Sequence, residues 1–379
     1  MQSPRMLDNK WELAQFYGTV YGIEESQAII EVLNEWAPTN NKKVREFESK
    51  FSEYVGGKYG IAANSWVGAA HLLAILMDIK KGDEFIVPAL TFQASANIFH
   101  REGAKIVFAD VDPRTFNIDP TKLEELITPR TRAIVVVHMC GQPCDMDPIL
   151  EIARHHNLTV IQDAAHAPGT LYKGKKLGKL SDFVIYSFHQ AKNISTLGEG
   201  GMLVTNNKEW VEKMKRLRGH GTGLYIGISS RMTDVQGAVG AIQMDRLESN
   251  NSIRRRLAYY MNTRIAEIEG MIVPYEMPDV YHVYHIYNVI IEPEVLGLDR
   301  GEFIKKLWTK KRILVGTQYY PTVNCLPAYK ALGHGEGECP VAEDISSRLV
   351  SLPISPRFTE SDMDELAEGI IDVVKLCKK

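Results

Sequence analysis

The chain has 379 residues, length enough for two or three domains, and its 45% hydrophobic and 24% charged residues suit a globular fold with a large core, not a disordered segment. A net charge of −3 leaves no basic surplus to draw nucleic acid or an anionic membrane, so a small soluble partner is expected. No window approaches about 18 uninterrupted apolar residues and the first residues carry neither an apolar h-region nor an Arg/Ser-rich transit pattern, so a cytoplasmic protein is expected.

Residues 1–25 lack strong periodicity and read as an arm that packs on something else. Glu24–Trp36 and Lys43–Tyr54 then place apolar residues at helical spacing with charges between them. A short strand, Lys58–Ala62, leads through the turn Asn64-Ser65-Trp66-Val67-Gly68 into a helix, Ala69–Met77. A strand feeding a helix through such a turn gathers free backbone N–H groups at the positive end of the helix dipole, an anion site in waiting. Taken alone, the turn is equally a plain connection with a capping serine.

The pattern then repeats: strand Glu84–Pro88, helix Ser95–Arg101, strand Lys105–Asp110, helix Thr121–Ile127, strand Ala133–His138, helix Pro148–His156, strand Leu158–Gln162. Such alternation predicts a mostly parallel sheet covered by helices on both faces. A strand over Phe183–Tyr186 follows, then strand Met202–Thr205, helix Lys208–Arg218, a Gly-rich loop Gly219–Gly227, and a long helix from Thr233 through Arg246 onward. Composition changes near Asn250, and strand Tyr284–Ile291, helix Arg300–Lys311, strand Val315–Tyr320 and helix Glu360–Leu376 suggest a smaller α+β domain. The five cysteines (Cys140, Cys144, Cys325, Cys339, Cys377) are odd in number and scattered; Cys140 and Cys144 lack a second half of a metal site, so free thiols and no zinc are expected.

The stretch Val160–Gly201 carries the chemistry. Asp163 and Ser187 each end an apolar run, with His166 and Lys192 close behind, and chemistry on an open α/β sheet collects beyond the carboxyl ends of its strands. A buried lysine, a carboxylate, a flat aromatic and an anion site together are what pyridoxal phosphate (PLP) requires: an amine for its aldehyde, an acid partner for its ring nitrogen, a stacking partner and helix N–H groups for its phosphate. Lys192, Asp163, Phe92 and the Asn64–Gly68 turn are the candidates. Singly, each has a plainer reading as surface lysine, helix cap, core aromatic or turn.

The segments SFHQAKN…GEGG (Ser187–Gly201), DAAHAPG (Asp163–Gly169), GDEFIVPALTF (Gly82–Phe92), FADVDPRTFNID (Phe108–Asp119) and PVAEDISSRLVSLPISP (Pro340–Pro356) resemble the DegT/DnrJ/EryC1/StrS family of PLP-dependent sugar and cyclitol aminotransferases. The resemblance runs from about Glu24 to the C-terminus. It implies PLP fold type I: an arm over residues 1–25, a large domain over 26–248 with a mostly parallel seven-stranded sheet, and a small α+β domain over 249–379. It makes Lys192 the Schiff-base lysine and proton carrier, Asp163 the partner of the pyridinium, Phe92 the stacking ring and His166 a neighbour of the phenolic oxygen. Ser187 and Ser65-Trp66-Val67 become phosphate ligands. The implied reaction takes nitrogen from glutamate or glutamine through an internal aldimine and a pyridoxamine phosphate intermediate to a keto-sugar, keto-cyclitol or related cyclic ketone. It also implies a homodimer in which the partner's loop Gly227–Met232, with Ser229, completes each site.

The chain departs from the family pattern in four places. Trp66 and Val67 replace the usual S-G-T or S-x-T, Ser229 stands where asparagine is common, L-R-N-H-G reads Leu217-Arg218-Gly219-His220-Gly221, and H-Y-P-x-P-x-H reads Gln318-Tyr319-Tyr320-Pro321-Thr322-Val323-Asn324. His220, Gln318, Tyr319 and Asn324 are the expected substrate contacts, and the lost histidines leave open whether the acceptor is nucleotide-linked. Two other readings stand beside the aminotransferase: a dehydratase of the same family, whose members replace the lysine with histidine, and a non-catalytic regulator that keeps the fold.

Overall fold

The computed structural model describes residues 9–16, 18–35 and 42–376. Three helices, α1 (Lys10–Phe16), α2 (Ile23–Asn34) and α3 (Lys42–Tyr54), precede the sheet. The alternation that follows is β1 (Tyr59–Ala63), α4 (Trp66–Leu76), β2 (Glu84–Pro88), α5 (Ala94–Arg101), β3 (Lys105–Ala109), β4 (Thr131–Val137), α6 (Met146–His155) and β5 (Thr159–Asp163). After a small excursion, β6 (Leu171–Tyr172) and β7 (Lys175–Lys176), come β8 (Phe183–Ser187), β9 (Gly201–Thr205), α7 (Lys208–Arg218) and α8 (Asp234–Ile265).

Seven strands form one sheet in the order β1-β9-β8-β5-β4-β2-β3, with β9 antiparallel to both neighbours and the other adjacent pairs parallel. The strands are apolar on both faces because both are covered. Val135, Ile161, Ile185 and Leu203 pack toward α4, while Ile134, Val136, Val160, Val184 and Val204 pack the opposite way. On that second face α3 contributes Phe47 and Phe51, whose rings meet Tyr186 and Phe188 edge-on or tilted at about 5 Å.

The smaller unit holds β10 (Met271–Ile272), β11 (Val280–Tyr281), β12 (Tyr287–Ile291), α9 (Pro293–Leu296), α10 (Arg300–Lys311), α11 (Pro327–Lys330), α12 (Pro340–Arg348), β13 (Leu349–Leu352) and α13 (Glu360–Lys375). Its sheet is antiparallel, β10-β12-β13, and its core gathers Val289, Phe303, Leu307, Leu366 and Ile370. The long helix α8, opened by a Thr233/Gln236 capping box, reaches both cores: Gly240 lies against Phe47, and Leu257, Ala258 and Met261 enter the small core. Helix α1 packs there too, through Trp11 against Phe358 and Lys10 bonded to Asp362 and Glu365.

Several expectations need correction. The predicted helix Thr121–Ile127 is two single 3₁₀ turns, Pro120–Lys122 and Glu124–Leu126, because seven residues capped at Asp119 and interrupted at Leu123 are too few to nucleate an α-helix. The predicted strand Val315–Tyr320 makes only one bridge, Gly316 to Ser351. The strand paired with β12 is β13, and the 315–320 segment joins β13 only through that bridge. Helix α12 and strand β13 were not read as separate elements. The predicted helix end Trp36 and the cysteine Cys377 lie outside the described residues; the other four cysteines are free thiols.

A buried ion pair ties three elements of the large unit. Arg218 of α7 donates to Glu48 of α3 and to the Ala62 carbonyl of β1, both at 2.6 Å, while Glu48 accepts from the Ala62 N–H at 2.8 Å. Arg218→Met is expected to cost about 3–5 kcal/mol by leaving Glu48 buried and unpaired. Chemical denaturation checks this, and the double variant Glu48→Leu/Arg218→Met should recover most of the loss.

Candidate active site

The parallel strands end at one side of the sheet, and a cavity of about 540 Å³ opens there between the two units. Its walls include Ser65, Trp66 and Val67 at the head of α4, Phe92 after β2, Asp163 at the end of β5, His166 just beyond, Ser187 at the end of β8, and Lys192. The small unit contributes His285, Gln318 and Tyr319. Chain geometry explains the convergence. Phe188 N–H bonds the Gly200 carbonyl at 2.8 Å and Lys192 N–H bonds the His189 carbonyl at 2.9 Å, so the segment after β8 folds back and turns Lys192 inward. Glycine is required where this loop meets the head of α4: a Cβ at Gly201 would sit 2.3 Å from the Ser65 carbonyl oxygen. A Cβ at Gly18 would sit 2.2 Å from the Lys192 carbonyl oxygen, so the N-terminal segment lies directly on the lysine's backbone.

Asp163 is 5% exposed. Its Oδ2 accepts from Ser95 Oγ at 2.7 Å and its Oδ1 from Ala165 N–H at 3.0 Å. Burial raises the carboxyl's pKa; these donors and the Lys192 charge pull it back without cancelling the rise. Burial also dominates at Lys192 and pushes its amine down to about 8, against the opposing pull of Asp163 and Cys140. The lysine therefore reaches its neutral, nucleophilic form far more readily than a surface lysine does.

His166 stays neutral, because burial and then the Lys192 charge lower its pKa well below the usual histidine value. Its Nδ1 accepts from the Cys140 N–H at 3.3 Å, which assigns the ring proton to Nε2. That proton points to the Tyr319 hydroxyl oxygen 3.0 Å away, and the Tyr319 proton is left free to donate elsewhere. The His285 ring lies 4.5 Å from that of His166, with its Nδ1 bonded to Asn193 at 3.0 Å. Phe92 is 53% exposed and offers a free ring face, its centroid 5.9 Å from that of Tyr319.

Three expected site residues are elsewhere. His220 and Ser229 lie on an exposed loop that does not line the cavity of this chain, Ser229 pairing with Gly219 in a single bridge. Asn324 is fully buried, donating to the Gly335 carbonyl at 2.9 Å and to Glu343 at 2.8 Å, so it is not placed to touch a substrate. Sequence reasoning missed Ser95, His285 and Arg254. Ser95 carries no motif of its own, and the one signal for His285 is the dense aromatic and histidine run Tyr281–Tyr287.

The donor set suits pyridoxal phosphate. Ser65 Oγ caps α4 by accepting from the Gly68 N–H at 3.0 Å, which leaves the Trp66 and Val67 N–H groups without a partner among the described residues, and the Ser187 hydroxyl lines the same cavity. Free helix N–H groups fit a phosphate, a buried carboxylate fits a ring nitrogen and a lowered amine fits an aldehyde.

A seven-stranded sheet of this order with an amine and a carboxylate at its carboxyl edge defines a PLP-dependent aminotransferase of fold type I. The model of the DegT/DnrJ/EryC1/StrS aminotransferase family matches residues 21–371, and the chain belongs to that family. It is 39% identical to GDP-perosamine synthase of Caulobacter vibrioides over 89% of this chain and 92% of the relative. Among solved structures it is similar to DesV of S. venezuelae in complex with a ketimine intermediate, with TM-score 0.88 and 31% identity over 93% of this chain and 95% of the other. It also resembles NtdA of Bacillus subtilis with bound cofactor PMP, with TM-score 0.86 and 30% identity over 93% and 82% of the two chains.

The lowered amine gives a pH signature. The rate at which colour develops when PLP is added to cofactor-free protein should rise about tenfold per pH unit up to about pH 8 and level off above it, where Lys192 is already neutral. Stopped-flow absorbance checks this. A rate still climbing at pH 10 would mean an ordinary lysine.

Proposed function

We propose that this enzyme moves an amino group from glutamate or glutamine to a keto-sugar, keto-cyclitol or related cyclic ketone, its cofactor alternating between pyridoxal and pyridoxamine phosphate. The observation that carries the reading is Lys192 and Asp163 in one cavity with the unpartnered N–H groups at the head of α4. The bound cofactor supplies an electron sink for the carbon that gains or loses the proton. Lys192 anchors it through its amine and, once released, carries that proton. Asp163 keeps the ring nitrogen protonated, and Phe92 offers its face to the ring. The His166–Tyr319 pair supplies one neutral hydrogen-bond donor on the cavity wall, the Tyr319 hydroxyl. Ser65, Trp66, Val67 and Ser187 hold the phosphate.

Kinship with GDP-perosamine synthase supports a sugar as the acceptor. Gln318 and Tyr319, on the small unit's side of the cavity, are the proposed acceptor contacts. Asn324 is left out because it is fully buried and its amide NH2 is already committed within the small unit.

A homodimer belongs to the same reading. Leu224, Tyr225 and Ile226 are exposed on the loop that carries His220 and Ser229, Ile226 to 96%, and a second copy covering them would bring Ser229 and His220 to the neighbouring site. The division into an arm (1–25), a large domain (26–248) and a small domain (249–379) is likewise proposed; α8 runs unbroken through the second boundary. A cytoplasmic location is proposed, supported by the lack, among the described residues, of any helix long and apolar enough to cross a membrane. The dehydratase alternative has no residue in its favour, since Lys192 is retained, and the retained Asp163 speaks against a non-catalytic regulator.

The test is the visible spectrum of the PLP-loaded protein before and after glutamate, and then glutamine. Conversion of the yellow form to the pyridoxamine form by either donor is the expected result. A yellow protein indifferent to both would contradict the proposed donors, and a colourless protein would contradict the enzyme reading. Lys192→Ala should fold, bind the cofactor without the yellow linkage and lose amino transfer by at least about three orders of magnitude.

A further inference from the structure

Trp66 is the least expected residue at the head of α4, where the family resemblance leads one to look for a small residue. It is 7% exposed, it lines the cavity, and its indole Nε1–H is buried with no hydrogen-bond partner among the described residues. An indole N–H is a donor only, and leaving a buried donor unpaired is costly, so the position calls for a reason beyond filling space. The surrounding cluster is rich in alanine, including Ala63, Ala69, Ala70 and Ala96, which makes room for the indole between helix and sheet.

The group with spare accepting capacity is Asp163. Each carboxylate oxygen receives one donor, Ser95 Oγ on Oδ2 and Ala165 N–H on Oδ1, and each keeps a free lone pair. Ser95 is itself supported by the Thr91 hydroxyl, 3.2 Å away. Burial works against the carboxylate's charge, Ser95, Ala165 and Lys192 pull the other way, and the Trp66 indole adds a small pull of the same sign although it forms no hydrogen bond to Asp163 in this structure. The backbone of Trp66 meanwhile belongs to the anion site: it is the first residue of α4, its N–H is free, and Gly201 packs so closely that a Cβ there would lie 2.6 Å from that nitrogen.

We propose that Trp66 is a positioning residue that serves both ends of the cofactor, its main-chain N–H at the phosphate and its indole N–H as a third donor to the Asp163 carboxylate that holds the ring nitrogen. This rests on the PLP reading above. A carboxylate with three donors stays ionised deep in the fold, and only the ionised form keeps the ring nitrogen protonated. The residue couples phosphate site and ring site, its main-chain N–H serving one and its side chain the other, while the hydroxyl of the common threonine is lost at the next position, Val67.

The test uses the holoenzyme and the variant Trp66→Phe, which keeps an aromatic ring and removes the N–H. Losing a donor leaves Asp163 easier to protonate, so cofactor retention should fail at higher pH on acidification. The expected results are a PLP dissociation constant about 5–10-fold weaker and an acid midpoint for loss of the yellow band raised by about half to one pH unit. In an Asp163→Asn background the same substitution should shift neither, because the acceptor charge is gone. A coloured Trp66→Phe enzyme with an unchanged acid midpoint would overturn the proposal, as would an equal loss of affinity in both backgrounds, which marks packing alone. If Trp66→Phe fails to fold, replacement of the indole by benzothiophene keeps the shape, removes only the N–H and faces the same two outcomes. A wild-type protein that never colours with PLP would refute the cofactor reading itself, an outcome distinct from either of these.

Discussion

The site depends on one constraint, a lysine and an aspartate taken out of water at the same edge of one sheet. Burial disfavours the charge on each, and their proximity partly restores it. The balance differs at the two residues. Asp163 has two hydrogen-bond donors already in place, whereas no hydrogen bond to the Lys192 amine is formed among the described residues, so the amine gives way and reaches neutrality near pH 8. A cofactor that must form a bond with a free amine and keep a proton on its ring nitrogen needs this inequality. The rest of the fold keeps both groups fixed and dry.

Three supports hold that arrangement. The sheet sets the spacing, since β5 and β8 are parallel neighbours in which Asp163 pairs with Ile185, two residues before Ser187 at the end of β8. The N-terminal segment and Arg254 close the lysine's loop from above. Gly18 N–H bonds the Gln190 carbonyl at 2.9 Å, and the buried Arg254 guanidinium donates to the Gly18 carbonyl at 2.6 Å and to the Ile354 carbonyl at 3.1 Å. The small unit supplies the far wall through Tyr319 and His285, held against His166. The catalytic edge thus borrows from sequence positions more than 300 residues apart, and α8, spanning both cores, keeps them in register.

Much of this was legible in the sequence, for a physical reason. Strands covered on both faces read as short apolar runs, so Leu158–Gln162 and Phe183–Tyr186 announced themselves, and the polar residues that ended them had to lie at the sheet's edge. Lys192 and Asp163 stood out because lysine and aspartate are costly to bury near such runs. Ser95 was not legible: its role exists only because α5 lies beside the end of β5, a contact 68 residues apart in sequence. The same holds for Asn193 with His285, and for the tautomer of His166, which the Cys140 N–H decides. The misread segment Val315–Tyr320 shows the limit from the other side: Gly316 pairs with Ser351 of β13 in a single bridge and the pairing goes no further, an outcome set by tertiary context and not by local propensity.

The account stands most directly on the identity of the amine that holds the cofactor. Borohydride reduction of the PLP-loaded protein, followed by peptide mapping, reads that amine without requiring any substrate. A pyridoxyl group on the peptide containing Lys192, with none when Lys192 is replaced by alanine, is the predicted result. A label on any other lysine, or no fixed label from a yellow protein, would contradict the assignment of the site.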